Sequence, residues 1–115
     1  MADCLFCRIV AGEIPATIVK RSDDAIAFRD IDARAPTHVL VIPTRHVPAV
    51  RDASGPEGER LLGGLLRFAA EVAGELGLDA RGYRIVTNTG KDAGQSVDHL
   101  HFHVLGGRRM AWPPG

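Results

Sequence analysis

Apolar residues recur along this chain with two periods, one near two and one near 3.6, and the switches between them divide it into elements. Residues 3–11 place Phe6, Ile9 and Val10 on one face of a short helix that Gly12 ends. Ile14 precedes Pro15, which favours an extended or turn conformation there. Residues 16–21 and 25–29 then alternate as strands, and Ser22, Asp23 and Asp24 between them have the chemistry of a hairpin turn. Residues 37–43 are almost continuously apolar, which predicts a central strand covered on both faces over at least part of its length.

Beyond Pro48 the period changes. Ser54 and Glu57 have the spacing of a capping box. Leu61, Leu62, Leu65, Leu66, Ala69, Val72, Ala73 and Leu76 follow at helical spacing, with Glu59, Arg67, Glu71 and Glu75 mostly on the other face. Ordinary packing explains this leucine stripe, and Gly77 supplies the cap after about Leu76. Residues 83–88 read as a strand and residues 89–96 as a polar loop. In the final segment His99, His101 and His103 alternate with Leu100, Phe102 and Val104, the pattern of a strand with one apolar face and one imidazole face. Same-face positions lie roughly 6.5 to 7 Å apart, so the three rings point one way and adjacent rings can share a target. Because strands mostly neighbour strands, the pattern predicts an α+β fold with an antiparallel sheet.

Composition narrows the function classes. A chain of 115 residues makes one domain, residues 1–115, with one core. Fourteen basic and fourteen acidic side chains cancel, so no long-range field draws it to nucleic acid or a membrane surface, and any phosphate must be held locally. Asp3 stands where a secretory leader would be basic, and no apolar run approaches the ~20 residues of a membrane span, which points to the cytoplasm. In that reducing compartment Cys4 and Cys7 are a metal clip or free thiols rather than a disulfide.

Only five histidines occur in the chain, and three of them share one short segment. An imidazole serves as nucleophile, general acid or base, or metal ligand, and spacing alone does not choose between these roles. Gly94, Gln95 and Ser96 just before the histidines suit an anion cradle, since glycine admits close backbone approach and the next two side chains add polar groups. Residues 89–92, Thr-Gly-Lys-Asp, lack the earlier glycine and the hydroxyl residue of a phosphate loop. His38 opens the apolar strand and meets the histidine segment if the two strands are neighbours. His46 could join Cys4, Cys7 and one of the three clustered histidines around zinc, a closed set of two thiolates and two imidazoles that favours a structural role; plain reduced cysteines are the alternative.

Residues 94–105, Gly-Gln-Ser-Val-Asp-His-Leu-His-Phe-His-Val-Leu, resemble the signature of the histidine triad (HIT) superfamily. Residues 4–15, residues 35–43 and the tail 106–115 resemble its histidine triad nucleotide-binding (Hint) branch, in the bacterial form with Cys-x-x-Cys. The resemblance implies a fold with an antiparallel sheet of about five strands, one long helix and a short N-terminal helix, its sheet extended across a homodimer. It implies a purine nucleoside monophosphate site and hydrolysis of P–N bonds in adenosine 5′-phosphoramidates through a nucleotidylated histidine, with acyl-adenylates as further substrates. By position, His101 is the nucleophile, His103 and His38 support it at the phosphate, and Ser96 holds the phosphate and serves the leaving group. Asn88, Gly94, Gln95 and Val97 stand beside the phosphate, Asp30 takes the ribose hydroxyls, and Phe6, Ile9, Phe28 and Ile31 wall the base. Trp112 reaches toward the partner subunit.

Within that resemblance no cofactor is needed for catalysis, and Cys4, Cys7, His46 and His99 hold a structural zinc. Neighbouring rings that resist a second positive charge favour the neutral nucleophile. Asp98, where relatives often carry an aromatic or apolar residue, and Ala111, where several carry histidine, depart from the family pattern. Two other readings use the same residues: a nucleotide-binding module with incidental slow hydrolysis, and a metal-dependent hydrolase ligating its metal through His99, His101 and His103.

Overall fold

A computed structural model describes residues 3–115. A five-stranded antiparallel sheet runs in the order β1 (Ile18–Arg21), β2 (Ala25–Arg29), β3 (Thr37–Pro43), β5 (Phe102–Gly106), β4 (Tyr83–Val86). Helix α1 (Leu5–Val10) covers one face and the long helix α2 (Gly55–Glu75) the other, with a single 3-10 turn at Val50–Asp52 before α2. This is the expected α+β architecture: one sheet, one long helix and one short N-terminal helix. Among the described residues no helix is long and apolar enough to cross a membrane.

Period-2 alternation in the central strands sorts the core into two layers. Val39, Val41, Phe102 and Val104, with Ala25 and Ala27, face α2 and pack on Leu65, Phe68, Ala69, Val72 and Ala73. Ile26, Phe28, Leu40 and Ile42 point the other way, onto Phe6 and Ile9 of α1. Strand β3 is covered on both faces because each face has a helix to bury against, which explains why its sequence barely alternates. His38 and His103 fall on the α1 face, since Leu40 pairs with His103 and His38 with Leu105 across the β3–β5 ladder. The register therefore makes these two imidazoles diagonal neighbours.

Several sequence expectations shift in detail. Helix α1 starts at Leu5, capped by the Cys4 sulfur, which accepts the Cys7 amide. Ser54 is the N-cap of α2, but its side chain makes no capping bond, so the expected capping box does not form. Pro56 at the second helical position has no N–H to give it. Leu66 is 44% exposed, and the buried stripe instead includes Phe68. The C-terminus of α2 is a Schellman turn: Gly77 (φ 78°) donates to Gly74 and Leu78 to Ala73. Strand β4 stops at Val86 rather than residue 88, because Thr87 Oγ1 donates to the His101 carbonyl and Asn88 Nδ2 to the Ala93 carbonyl, diverting both residues into the next loop. The histidine segment is a strand only from Phe102; Leu100 donates its amide to the Val47 carbonyl, outside the sheet ladder, so His99 and His101 sit on irregular backbone leading into β5.

Candidate active site and metal centre

A cleft of about 260 Å³ opens on the α1 face of the sheet. Its apolar wall comes from Phe6 and Ile9 of α1, Phe28 of β2, and Ile31, while Asp30, Ser96, His101 and His103 supply the polar rim. Val97 also lines it. Leu5, Ile14, Pro15, Ala16, Arg29 and Leu40 also line it and lie outside the residues expected from the sequence, which does not say which residues flanking the helix and strands face a ligand. His38 stands directly behind His103 rather than on the cleft wall.

Backbone groups set the protonation form of His101 and His38, and His38 in turn sets that of His103. His101 lies 2.7 Å through Nδ1 from the His99 carbonyl, a pure acceptor, so Nδ1 carries the proton and Nε2 keeps its lone pair. Thr87 Oγ1, 2.8 Å from the His101 carbonyl, pins the same segment. The Arg34 amide donates to His38 Nδ1 at 3.0 Å, which places the His38 proton on Nε2. His38 Nε2 lies 2.9 Å from His103 Nδ1 and donates to it, with Asp30 Oδ2 nearby at 3.3 Å. His103 then carries its own proton on Nε2, on a ring that lines the cleft. The site thus offers a bare nitrogen on His101 beside an N–H donor on His103, with ring centroids 5.1 Å apart. Asp30 spends Oδ1 on the Asp32 amide at 2.8 Å.

Electrostatics agree with neutral rings. Burial, then the charges of His101 and His38, push His103 down to about 4, against a smaller opposing pull from Asp30. Burial likewise holds His38 below the ordinary histidine range, with Asp30 acting the other way. The mutual repulsion expected among the clustered rings therefore tells on His103, which touches both of the others.

The loop before the histidines is braced internally. Gln95 Oε1 accepts the Gly90 amide at 2.9 Å, and Gln95 Nε2 donates to the Pro48 and Val97 carbonyls at 2.7 and 3.1 Å. Asn88 closes the same loop on Ala93, and Gly94 sits at φ 80° beside Ser96. The structure thus brings Ser96 and Val97 to the cleft and leaves Asn88, Gly94 and Gln95 outside its wall, shaping the loop. Trp112 is 81% exposed, far from burial in its own cleft, with the Arg84 guanidinium 5.9 Å over its ring.

His99 shares the α1 face but turns away from the cleft. Its Nε2 donates to the Pro43 carbonyl at 3.0 Å, leaving Nδ1 bare toward Cys4 Sγ at 3.3 Å and Cys7 Sγ at 3.6 Å. His46 Nδ1 approaches Cys7 Sγ at 3.4 Å. The donor atoms of Cys4, Cys7, His46 and His99 all lie within 4.8 Å of one another. A tetrahedral zinc ion, with bonds of about 2.3 Å to sulfur and 2.0 Å to nitrogen, holds such donors about 3.5 Å apart, so the set fits that ion. Burial, which also holds His99 below the ordinary histidine range, favours the neutral ring a metal requires. Burial and the neighbouring Cys4 push the Cys7 thiol up, a resistance to ionisation that a cation between the sulfurs would offset. His99, His101 and His103 do not converge on a common point: His99 faces the thiols and the other two face the cleft. Asp30, His38 and His103 form a second compact group of donors, but the Arg34 amide on His38 Nδ1 requires the proton on Nε2, where a metal would have to bind. Phe6 stands between the two centres, its ring edge-on to His101 at 5.2 Å and to His99 at 5.8 Å.

Comparison with known proteins agrees with this geometry. A family model described as the HIT domain matches residues 11–110. The purine nucleoside phosphoramidase of Escherichia coli is 44% identical over 108 residues, covering 94% of this chain and 90% of that protein. The crystal structure of a HIT family hydrolase from Legionella pneumophila superposes with a TM-score of 0.94 at 47% identity, covering 98% of this chain and 100% of the other. A histidine triad nucleotide-binding protein from Candida albicans superposes with a TM-score of 0.81 at 32% identity over 96% of this chain and 83% of its own.

Proposed function

Because the chain belongs to the HIT domain family, we propose that it hydrolyses purine nucleoside phosphoramidates by way of a nucleotidyl group carried on His101. The observation that carries this reading is the His101 ring, whose Nδ1 is committed to the His99 carbonyl at 2.7 Å while Nε2 keeps its lone pair at the cleft. The similarity to a purine nucleoside phosphoramidase supports the choice of the P–N bond. In the first displacement His101 Nε2 attacks the α-phosphorus, an N–P bond forms, and the phosphorus–amine bond breaks. The charge that arises on the ring is met by the Nδ1–H bond to the carbonyl. Splitting the reaction this way replaces one hard displacement by two easier ones.

His103 donates Nε2–H to a phosphate oxygen, and His38 holds it in the form that can do so. Ser96 passes a proton to the departing nitrogen. A water molecule then attacks the phosphorus and returns a proton to Ser96, His101 leaves with its lone pair restored, and the nucleoside monophosphate is released. Phe6, Ile9, Phe28 and Ile31 stack on the base, and the outward part of the Asp30 carboxylate receives the ribose hydroxyls. Cys4, Cys7, His46 and His99 would hold a zinc ion through four protein donors, and it would serve to clip α1 to the active-site segment. The free side of β4, at the end of the sheet, pairs with a second copy, which brings the exposed Trp112 toward the other cleft.

Intact-mass measurement after mixing with a slowly hydrolysed adenosine phosphoramidate tests the chemistry. The expected product is one adenylyl group per chain on His101. His101→Ala should show no adduct and no turnover while still binding AMP; turnover equal to wild type in that variant would reject the assignment. Wild-type turnover no faster than that of His101→Ala would leave a nucleotide-binding module.

A further inference from the structure

The C-terminal tail reaches the catalytic histidines through one side chain that the mechanism above leaves without a role. Arg108 donates from Nε and Nη2 to the Arg34 carbonyl at 3.0 and 2.9 Å, and from Nη1 to the Arg109 carbonyl at 3.1 Å. The planar guanidinium thereby closes two of its N–H groups on one acceptor. The amide of that same Arg34 is the group that fills His38 Nδ1. Both polar groups of the Arg34 backbone are spent in this chain of contacts, one on the tail and one on the His38 ring.

The fold brings the two segments together closely. Gly106 at the end of β5 pairs with Thr37, one residue before His38. Gly107 (φ 90°) then turns the chain so tightly onto Pro36 that a Cβ there would lie 2.9 Å from the proline Cβ. By contrast, the Arg34 side chain only pairs with Asp32 on the surface, both more than 70% exposed, and such a pair holds little.

We propose that Arg108 is a positioning residue for the histidine pair: by gripping the Arg34 carbonyl it keeps the Arg34 amide on His38 Nδ1. His38 is thereby confined to the form that carries its proton on Nε2 and donates to His103. If the loop relaxes, His38 gains access to the Nδ1–H form, whose bare Nε2 faces the bare Nδ1 of His103 across 2.9 Å. His103 then either meets a lone pair or moves its own proton to Nδ1, giving up the donor that faces the phosphate. The inference rests on the reading that His38 and His103 serve the phosphate.

The test uses the full chain as purified, comparing wild type with Arg108→Ala, Arg108→Lys and the neighbouring Arg109→Ala. Long-range ¹H–¹⁵N spectra of the imidazole nitrogens report the His38 tautomer directly. Wild type should show a single Nε2–H form. In Arg108→Ala the two His38 nitrogen shifts should move toward averaged values, and kcat on an adenosine phosphoramidate should fall on the order of tenfold. KM should stay within about twofold, because the lost interaction acts in the transition state. Arg108→Lys should restore part of both effects, and Arg109→Ala should match wild type. Unchanged His38 shifts in Arg108→Ala, or the same change in Arg109→Ala, would overturn the proposal. Should wild type turn over no phosphoramidate, the functional reading fails, while the nitrogen shifts still decide the role of Arg108.

Discussion

Lowering the pH from 7 to 5 should cost this fold about 2 kcal/mol at a single ring, His103. Burial and two neighbouring imidazoles hold its pKa at about 4 in the folded chain, whereas an unfolded histidine titrates near 6.5. Between those values the unfolded state binds a proton that the folded state refuses, so stability falls as the pH falls. At pH 7 neither state is much protonated and the contribution is small. At pH 5 the unfolded ring is almost fully charged and the folded ring almost neutral, which gives the ~2 kcal/mol; below pH 4 the loss levels off at about 3 kcal/mol. Against a typical total of 5–15 kcal/mol, roughly, this is a measurable share. Urea unfolding at pH 7 and pH 5, for wild type and His103→Asn, isolates the ring, because His38 and the metal-ligand set remain in both proteins. The variant should lose about 2 kcal/mol less than wild type over that interval. Losses that agree within about 0.5 kcal/mol would refute the assignment of a half-buried, neutral His103.

Other perturbations probe the metal clip, the shared wall and the helix end. Protein purified without added metal should carry one zinc per chain, and Cys4→Ser with Cys7→Ser should abolish it; losing roughly 2 kcal/mol of metal linkage lowers Tm by about 10 °C in calorimetry. Full metal occupancy in the double variant would reject the site. Phe6→Ala removes a buried ring that touches Phe28, His99 and His101. It should cost about 3–5 kcal/mol in urea unfolding and weaken AMP binding in titration calorimetry, and an unchanged Kd for AMP would remove Phe6 from the base wall. Gly77→Ala forces a Cβ onto a residue at φ 78° and should destabilise by about 1 kcal/mol, with kcat and KM unchanged.

The fold was legible in the sequence where one physical signal dominated. Residues 25–29 and the almost continuously apolar β3 are buried on both faces of the sheet, and the helical stripe of α2 buries one side of that helix, each as its apolar pattern implies. Where signals competed, the sequence misled: Ser54 has the capping pattern, yet its side chain makes no capping bond, and Leu66 has the right spacing but lies past the edge of the contact with the sheet. The three clustered histidines show the same division at the site. Period-2 spacing predicts one shared face for His99, His101 and His103, though only His103 lies in the strand, and it says nothing about which ring nitrogen points where. That choice is made by carbonyls and an amide: Pro43 turns the bare nitrogen of His99 toward the cysteines, His99 itself leaves the Nε2 of His101 bare, and Arg34 aims His38 at His103. Every residue has a carbonyl and nearly every residue an amide, so these contacts leave no mark on composition or spacing. They exist only once β3, β5 and the loops at their ends have been brought into register, which is why His99, His101 and His103 can be neighbours in sequence without being interchangeable.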